Sequence, residues 1–102
     1  KAFYAQQEIY DVLNLLRALE NPWDDLSLAG VLRSPFAGIA DETLFRLCRC
    51  RDGLWKGLSD ESVLGRIDPQ QLQVVERARD WLIEWRSWKD RLLIADLLRK
   101  VV

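Results

Sequence analysis

Residues 3–44 read FYAQQEIYDVLNLLRALENPWDDLSLAGVLRSPFAGIADETL and carry the signals that decide the fold. Apolar residues recur in the first part at spacings of three and four, which predicts an amphipathic helix with one buried stripe. The residues of this stripe are Ile9, Val12, Leu13, Leu16 and Leu19. The helix is expected to stop before Pro22, which cannot continue it.

Two further helices are predicted in the same stretch. Asp24 is the expected cap of a shorter helix, whose apolar face consists of Leu28, Val31 and Leu32. Pro35 disfavours helix at the residue before it and Gly38 is free to take a positive φ, so 34–38 is predicted as a turn. Asp41 is the expected N-cap of the third helix. Its apolar residues are Leu44, Phe45, Leu47 and Cys48.

The second half of the chain is also expected to be helical. Gly53 is expected to end the third helix, and one irregular apolar turn follows, formed by Leu54, Trp55 and Leu58. Residues 59–67 are interpreted as a loop with one turn. Asp68-Pro69-Gln70-Gln71 is the strongest start signal, with an N-cap aspartate, a proline at the first helical position and a glutamine three residues after the cap.

A long helix should run from there to about Ser87, with a short turn near Lys89 and Asp90 before a last helix. That last helix holds Leu93, Ile94, Leu97, Leu98 and Val101. Because strand-like alternation is lacking, the sequence predicts an all-α fold, a small orthogonal bundle of about five helices forming one domain over residues 1–102.

Composition limits the class of protein. The 102 residues are 49% apolar and 30% charged, as expected of a small globular domain and not of a disordered tail. No apolar run is long enough to span a membrane, and no leader precedes the first helix. Cys48 and Cys50 are two residues apart on a helix and point to nearly opposite faces, which favours free thiols and a cytoplasmic location. Lys1 at the start, and Val101 and Val102 at the end, favour a segment of a longer protein.

The residues exclude several kinds of catalytic site. The chain has no histidine and two cysteines, so triads with histidine and complete zinc sites are excluded. It also has no Gly-x-x-x-x-Gly-Lys-Ser/Thr motif to hold a nucleotide. Asp24-Asp25 and Asp60-Glu61 are interpreted as helix caps, since adjacent residues diverge on a helix. We therefore predict no catalytic residue, metal site or cofactor in this chain.

Charge is distributed unevenly along the chain. The formal net charge is −1, but residues 33–56 contain five basic and three acidic residues. The basic residues are Arg33, Arg46, Arg49, Arg51 and Lys56. Arg46 and Arg49, with Lys56, share a helical face in this interpretation and are candidates for phosphate contact. Ordinary surface arginines are the alternative interpretation.

Three of the five tryptophans share one side of the long predicted helix. Trp81, Trp85 and Trp88 recur at spacings of four and three, beside Leu82. Such a stripe either stacks on bases or packs on protein. Carboxylates lie between the rings, so a packing surface is the favoured interpretation, and a protein-interaction module that binds a partner through the tryptophans is the alternative function.

Three motifs in the first half carry a resemblance to a known family. They are Glu8-Ile9-x-Asp11, Asn21-Pro22-x-Asp24-Asp25 and the run from Leu32 to Ile39. Together they resemble the start of the 2B insertion of UvrD-type superfamily I DNA helicases, and most of all the RecB-like exonuclease V branch of helicase–nucleases. The second half resembles the family only loosely.

The resemblance implies roles for particular residues. Glu8 and Asp11 would contact the motor domain of the parent helicase. Pro35, Gly38 and Ile39 align with a turn similar to a helix-hairpin-helix element that faces duplex phosphate. This sequence departs from the family pattern of the turn in three ways. Ala40 replaces the second glycine, Phe36 and Ala37 stand where a basic residue is common, and Asp41 and Glu42 are acidic. A structural turn is therefore favoured here.

The resemblance also implies a function. The parent would unwind duplex DNA in double-strand-break repair and recombination, with ATP and Mg²⁺ bound outside this chain. Its partners would be duplex DNA, the remainder of the helicase chain and a possible partner subunit. The residues expected to contact DNA are Arg33, Gly38, Ile39, Arg46, Arg49 and Lys56. The chain itself would pack on the motor and shape the approach of the duplex.

Overall fold

Six helices follow one another in the computed structural model, which describes the backbone of residues 2–101 and the side chains of residues 6–96 and 98–100. They are α1 (Ala2–Glu20), α2 (Asp25–Arg33), α3 (Asp41–Cys48), α4 (Leu54–Gly57), α5 (Glu61–Leu64) and α6 (Pro69–Val101). Within residues 2–101 there is no strand, and the all-α prediction is confirmed. Lys1, Val102 and the side chains of Leu97 and Val101 lie outside the described part.

Helix α1 ends before Pro22, as predicted, but it begins at Ala2, ahead of Glu8, and packs through a different face. Asp11, Ala18 and Leu19 are buried, whereas Ile9 and Leu16 are 58% and 57% exposed. Gly30 on α2 explains the orientation, because a Cβ there would overlap the Asn14 side chain of α1. The two helices therefore meet along the Asn14 side. The predicted buried stripe is wrong except for Leu19, and we call its exposed members the α1 apolar face: Ile9, Val12, Leu13 and Leu16.

The core forms around α2, as its apolar spacing predicts. Leu28, Val31 and Leu32 are all buried. They belong to one cluster with residues of every helix except α5. The other buried members are Ala18, Leu19, Ala37, Ile39, Leu44, Leu47, Leu54, Leu58, Ile67, Val75, Ala78 and Leu82. One shared core, rather than several, holds the short helices in place.

The turn between α2 and α3 is confirmed, but the cap of α3 differs from the prediction. Gly38 has φ 69°, and the Ile39 N–H donates to Leu32 O at 3.0 Å. The N-cap residue is Ala40, whose N–H donates to Gln71 Oε1 of α6 at 3.1 Å. Asp41 lies inside the first turn instead. Helix α3 thus has no side-chain cap, and Gln71 from a distant helix accepts from the N–H of its N-cap residue instead.

The short elements between α3 and α6 pack through their leucines. Helix α3 ends at Cys48, before Gly53, and Gly53 has φ 101° at the start of α4. Of the four apolar residues of the predicted helix, Leu44 and Leu47 are buried, whereas Phe45 and Cys48 are exposed. Helix α3 is eight residues long, and the side that carries Leu44 and Leu47 packs in the core.

Helix α6 begins at the predicted signal and continues without the predicted break. The Gln71 N–H donates to Asp68 Oδ1 at 3.0 Å. No glycine or proline follows Pro69, so nothing near Lys89 and Asp90 forces a turn, and the helix runs for 33 residues. At 1.5 Å per residue it is about 50 Å long, which accounts for the longest dimension of the molecule, 51 Å. In the described part, no helix has the length and apolarity needed to cross a membrane.

The adjacent carboxylates cap helices, as the sequence predicts. Asp24 accepts from the Ser27 N–H at 3.2 Å and from its hydroxyl at 2.8 Å. Asp60 accepts from the N–H and hydroxyl of Ser62. Asp25 accepts from the Leu54 N–H at 3.3 Å and ties α2 to α4.

The Asp24 cap predicts a dependence of stability on pH. Its hydrogen bonds from the Ser27 N–H and hydroxyl lower the pKa of Asp24 below the ordinary aspartate value. A lowered folded-state pKa contributes stability that is present above the unfolded pKa and is lost as pH falls through the folded one. Asp24→Asn keeps an acceptor at the cap but does not titrate. We expect its melting temperature to fall less than that of the wild type between about pH 6 and pH 2.

The measurement is thermal unfolding followed by circular dichroism at several pH values. Asp52→Asn, which removes an exposed carboxylate outside the caps, is the control and should follow the wild-type curve. An equal fall in melting temperature for the wild type and Asp24→Asn as the pH is lowered would contradict the assignment.

Candidate nucleic-acid interface

Three arginines meet at an open depression beside α3 and α5. Arg46 lies in the last turn of α3, Arg49 directly after it, and Arg66 just beyond α5. They line the depression together with Ser62 and Val63, around a volume of about 280 Å³. We call this the arginine cleft. Contacts between α3 and α5 bring the three side chains together.

The arginines of the cleft are only lightly engaged by protein groups. Arg46 Nη2 lies 3.7 Å from Glu42 Oε1, in an exposed pair. The Arg49 guanidinium lies 5.8 Å from the centre of the Phe45 ring. Among the described residues, neither Arg49 nor Arg66 has a carboxylate oxygen within 4 Å. Their charges are therefore available to an anion.

Arg66 was not among the sequence candidates, because the single turn predicted within residues 59–67 does not by itself indicate contact with α3. The Asp60-x-Ser62 pair was the available signal, since an aspartate that caps a serine two residues later marks a helix start. A short helix at 61–64 folds the chain back and places Arg66 next to Arg46.

The remaining residues proposed for DNA contact lie elsewhere. Arg33 pairs with Asp41 at 3.1 Å and borders a different depression. Lys56 is exposed on α4 and does not line the cleft. Gly38 is exposed, whereas the Ile39 side chain is 3% exposed and belongs to the core. The structure thus brings Arg46 and Arg49 together and separates them from the rest of the set.

Glu8 and Asp11 lie on α1 and do not line the arginine cleft. Asp11 is 7% exposed and accepts from Gln7 Nε2 at 3.0 Å. It borders a polar depression lined by Gln7, Asn14, Gly30, Arg33, Ser34 and Pro35. Glu8 is exposed beside the α1 apolar face, and that surface continues to Phe36.

The tryptophan stripe divides between the core and the surface. Trp81 and Trp85 are stacked at 5.9 Å and are half-buried. Both line a narrow gap beside Leu32 and Phe36. Trp88 is 53% exposed, with Arg91 over its ring at 5.2 Å. Two of the three rings therefore pack within this chain, whereas the Trp88 ring is exposed.

Metal and nucleotide chemistry have no matching residues in this part of the structure. Among the described residues, no group of three histidine, cysteine, aspartate or glutamate side chains is arranged to hold a metal ion. The sequence has no phosphate-binding loop for ATP and Mg²⁺. The residues present therefore fit neither a metal site nor a nucleotide site.

Comparisons with known proteins give a consistent result over nearly the whole chain. Similar proteins are described as the A subunit of an ATP-dependent helicase/nuclease. That of Anoxybacillus flavithermus is 30% identical over 100 residues, that of Natranaerobius thermophilus 36% over 103, and that of Pelotomaculum thermopropionicum 33% over 101. Each match covers 94% of this chain and 8% of the relative. The chain thus spans about 8% of the length of the curated relatives that it matches.

Two other comparisons gave no match. No family model matches the chain. No solved structure matches it significantly.

Proposed function

Because this chain is homologous to a segment of these helicase/nuclease proteins, we propose that it is an accessory helical segment of such an enzyme. In this proposal the enzyme unwinds duplex DNA in double-strand-break repair and recombination, and the segment corresponds to the 2B-type insertion. The single observation that carries the proposal is the similarity to the helicase/nuclease relatives over 94% of the chain.

The α1 apolar face supports a role in packing on the remainder of the helicase chain. Four apolar side chains on one helix are exposed, next to Glu8 and the buried Asp11. Exposed apolar patches of this kind mark contact surfaces. We infer that this side meets the motor, with Glu8 and Asp11 at its polar edge.

The arginine cleft supports contact with duplex DNA. It lies on α3 and α5, away from the α1 apolar face. In the proposed arrangement one side of the segment packs on the motor and another side faces the DNA backbone.

The chemistry of the enzyme would be supplied elsewhere. ATP and Mg²⁺ would bind to other parts of the parent protein. DNA strands that are cleaved by a nuclease would also bind there, and a partner subunit would complete the assembly. The free Cys48 and Cys50 thiols favour a cytoplasmic location for the protein.

A segment exchange tests the proposal. The matching residues of the Natranaerobius thermophilus relative would be replaced by this chain, and ATP-dependent unwinding of a tailed duplex would be measured. We expect the chimera to unwind DNA and a version with an unrelated helical segment of equal length to fail. A chimera that folds and hydrolyses ATP but does not unwind DNA would contradict the proposed function.

A further inference from the structure

We propose that the arginine cleft is a binding site for a phosphate of the DNA backbone, with Arg46, Arg49 and Arg66 as the groups that hold it. The inference rests on the proposed function and gives it a specific site. It adds Arg66, a residue that no sequence motif indicated, and it leaves Lys56 and Arg33 out.

The lining of the cleft suits an oxyanion. Three arginines line it, together with the apolar Val63 and with Ser62, whose hydroxyl already donates to Asp60. A guanidinium carries five N–H donors in a planar fork and donates two parallel hydrogen bonds to a phosphate. Arg46 and Arg49 come from the end of α3 and Arg66 from the segment after α5, so an anion can be contacted from more than one direction.

The cleft needs little rearrangement to accept a ligand. The Arg46–Glu42 pair is exposed and long at 3.7 Å, and exposed pairs of this type contribute little to stability. A phosphate can replace Glu42 as the partner of Arg46 at small cost. Phe45, 64% exposed, lies under Arg49 and restricts its guanidinium plane.

The side-chain charges, not the backbone, supply the attraction. Arg46 and Arg49 lie at the C-terminal end of α3, where the helix dipole is negative. This end disfavours an anion, so binding must depend on the arginines and should fall when any one of them is neutralised. Backbone N–H groups at a helix start, as in the turn near Gly38, have no part in this site.

The shape of the cleft favours a polymer over a small molecule. The cleft is a partly open depression rather than an enclosed cavity. A free phosphate ion meets only the cations of the cleft, whereas a duplex that crosses it also presents successive phosphates to basic side chains nearby. The DNA backbone is therefore the source of phosphate that we assign.

The test is fluorescence anisotropy of the chain with a tailed duplex over a salt series. We expect Arg66→Gln to weaken binding roughly tenfold and to lower the slope of log affinity against log salt by about 1. Arg46→Gln and Arg49→Gln should behave alike. Arg51→Gln is the matched control, because it removes the same charge from an exposed residue that does not line the cleft. It should stay within about twofold of the wild type.

Several outcomes would overturn the assignment. They are wild-type affinity for all three cleft variants, an equal loss for Arg51→Gln, and no binding of the duplex even at low salt. Inorganic phosphate is used as a competitor. If it displaces the duplex at a concentration equal to that of the phosphate groups of the DNA, the site is for free phosphate. Circular dichroism of each variant will show that the fold is retained.

The two proposals fail in different ways. If the chain binds DNA but the cleft variants bind equally well, the site is wrong and the helicase role stands. If the cleft variants lose binding as expected but the chimeric protein does not unwind DNA, the site stands and the helicase role is wrong.

Discussion

Leu32→Ala is expected to lower the free energy of unfolding by about 2–5 kcal/mol, the range for deleting a buried leucine side chain. Leu32 is 0% exposed, on the helix at the centre of the shared core. It lines a narrow gap with Leu82, Trp81 and Trp85, which belong to the long helix. Because these large side chains are fixed on α6, they cannot close the cavity fully, and the loss should include a cavity term.

Leu26→Ala is the matched control for this experiment. Leu26 lies on the same helix but is 86% exposed, so its removal should change stability by no more than about 0.5 kcal/mol. Urea unfolding followed by tryptophan fluorescence and by circular dichroism measures both variants. Similar losses for Leu26→Ala and Leu32→Ala would mean that α2 does not face the core as described.

Arg86→Ala is expected to destabilise the chain by about 2 kcal/mol, because charged hydrogen bonds and a stacked cation are lost together. Arg86 Nη2 donates to Ala18 O at 2.9 Å, and Nε donates to Leu19 O at 3.2 Å. Its guanidinium lies 4.7 Å from the centre of the Trp55 ring. One side chain thus joins α1, α4 and α6.

The carbonyls that Arg86 contacts explain why its loss should be large. They lie in the last turn of α1, where four carbonyls lack partners within the helix. Burial lowers the pKa of Arg86, with Asp90 acting in the opposite direction, so part of its hydration has already been given up in the folded chain. Removal of the Arg86 side chain leaves the carbonyl oxygen of the buried Ala18 without this hydrogen-bond donor.

Arg91→Ala is the control for Arg86→Ala. Arg91 also lies over a tryptophan, Trp88, at 5.2 Å, but that ring and Arg91 are exposed. Its loss should be small, since exposed cation–aromatic contacts contribute about 0.5–1 kcal/mol. Thermal and urea unfolding of both variants makes the comparison. Equal losses would show that stacking on tryptophan, rather than the bridge to α1, accounts for the effect.

Features set by neighbouring residues were predicted well. The Asp24 and Asp68 caps, the turn at Gly38 and the start of α6 each depend on residues within a few positions of one another. The apolar spacing of α2 was equally informative, because all three of its marked residues are buried. These caps, the turn and the buried face of α2 can therefore be predicted from residues that are close together in the sequence.

Features set by distant contacts were not predictable in the same way. The periodicity of α1 shows that it has an apolar face, but Gly30 and Asn14 determine that another face meets α2. The N–H of Ala40, the N-cap residue of α3, donates to Gln71, 31 residues away. Arg66 joined the candidate site only through the fold of α5. In each case the deciding partner is remote in sequence.

The continuity of α6 has a mechanical consequence. Beyond Arg86, which donates hydrogen bonds to α1, the helix continues for about 20 Å at 1.5 Å per residue. Its described side chains from 91 onward are all exposed. An unbroken helix turns as a rigid rod, so tilting the bundle by about 10° would move the far end by about 4 Å. A tilt of the bundle is thus converted into a larger displacement at the far end of α6 than at Arg86.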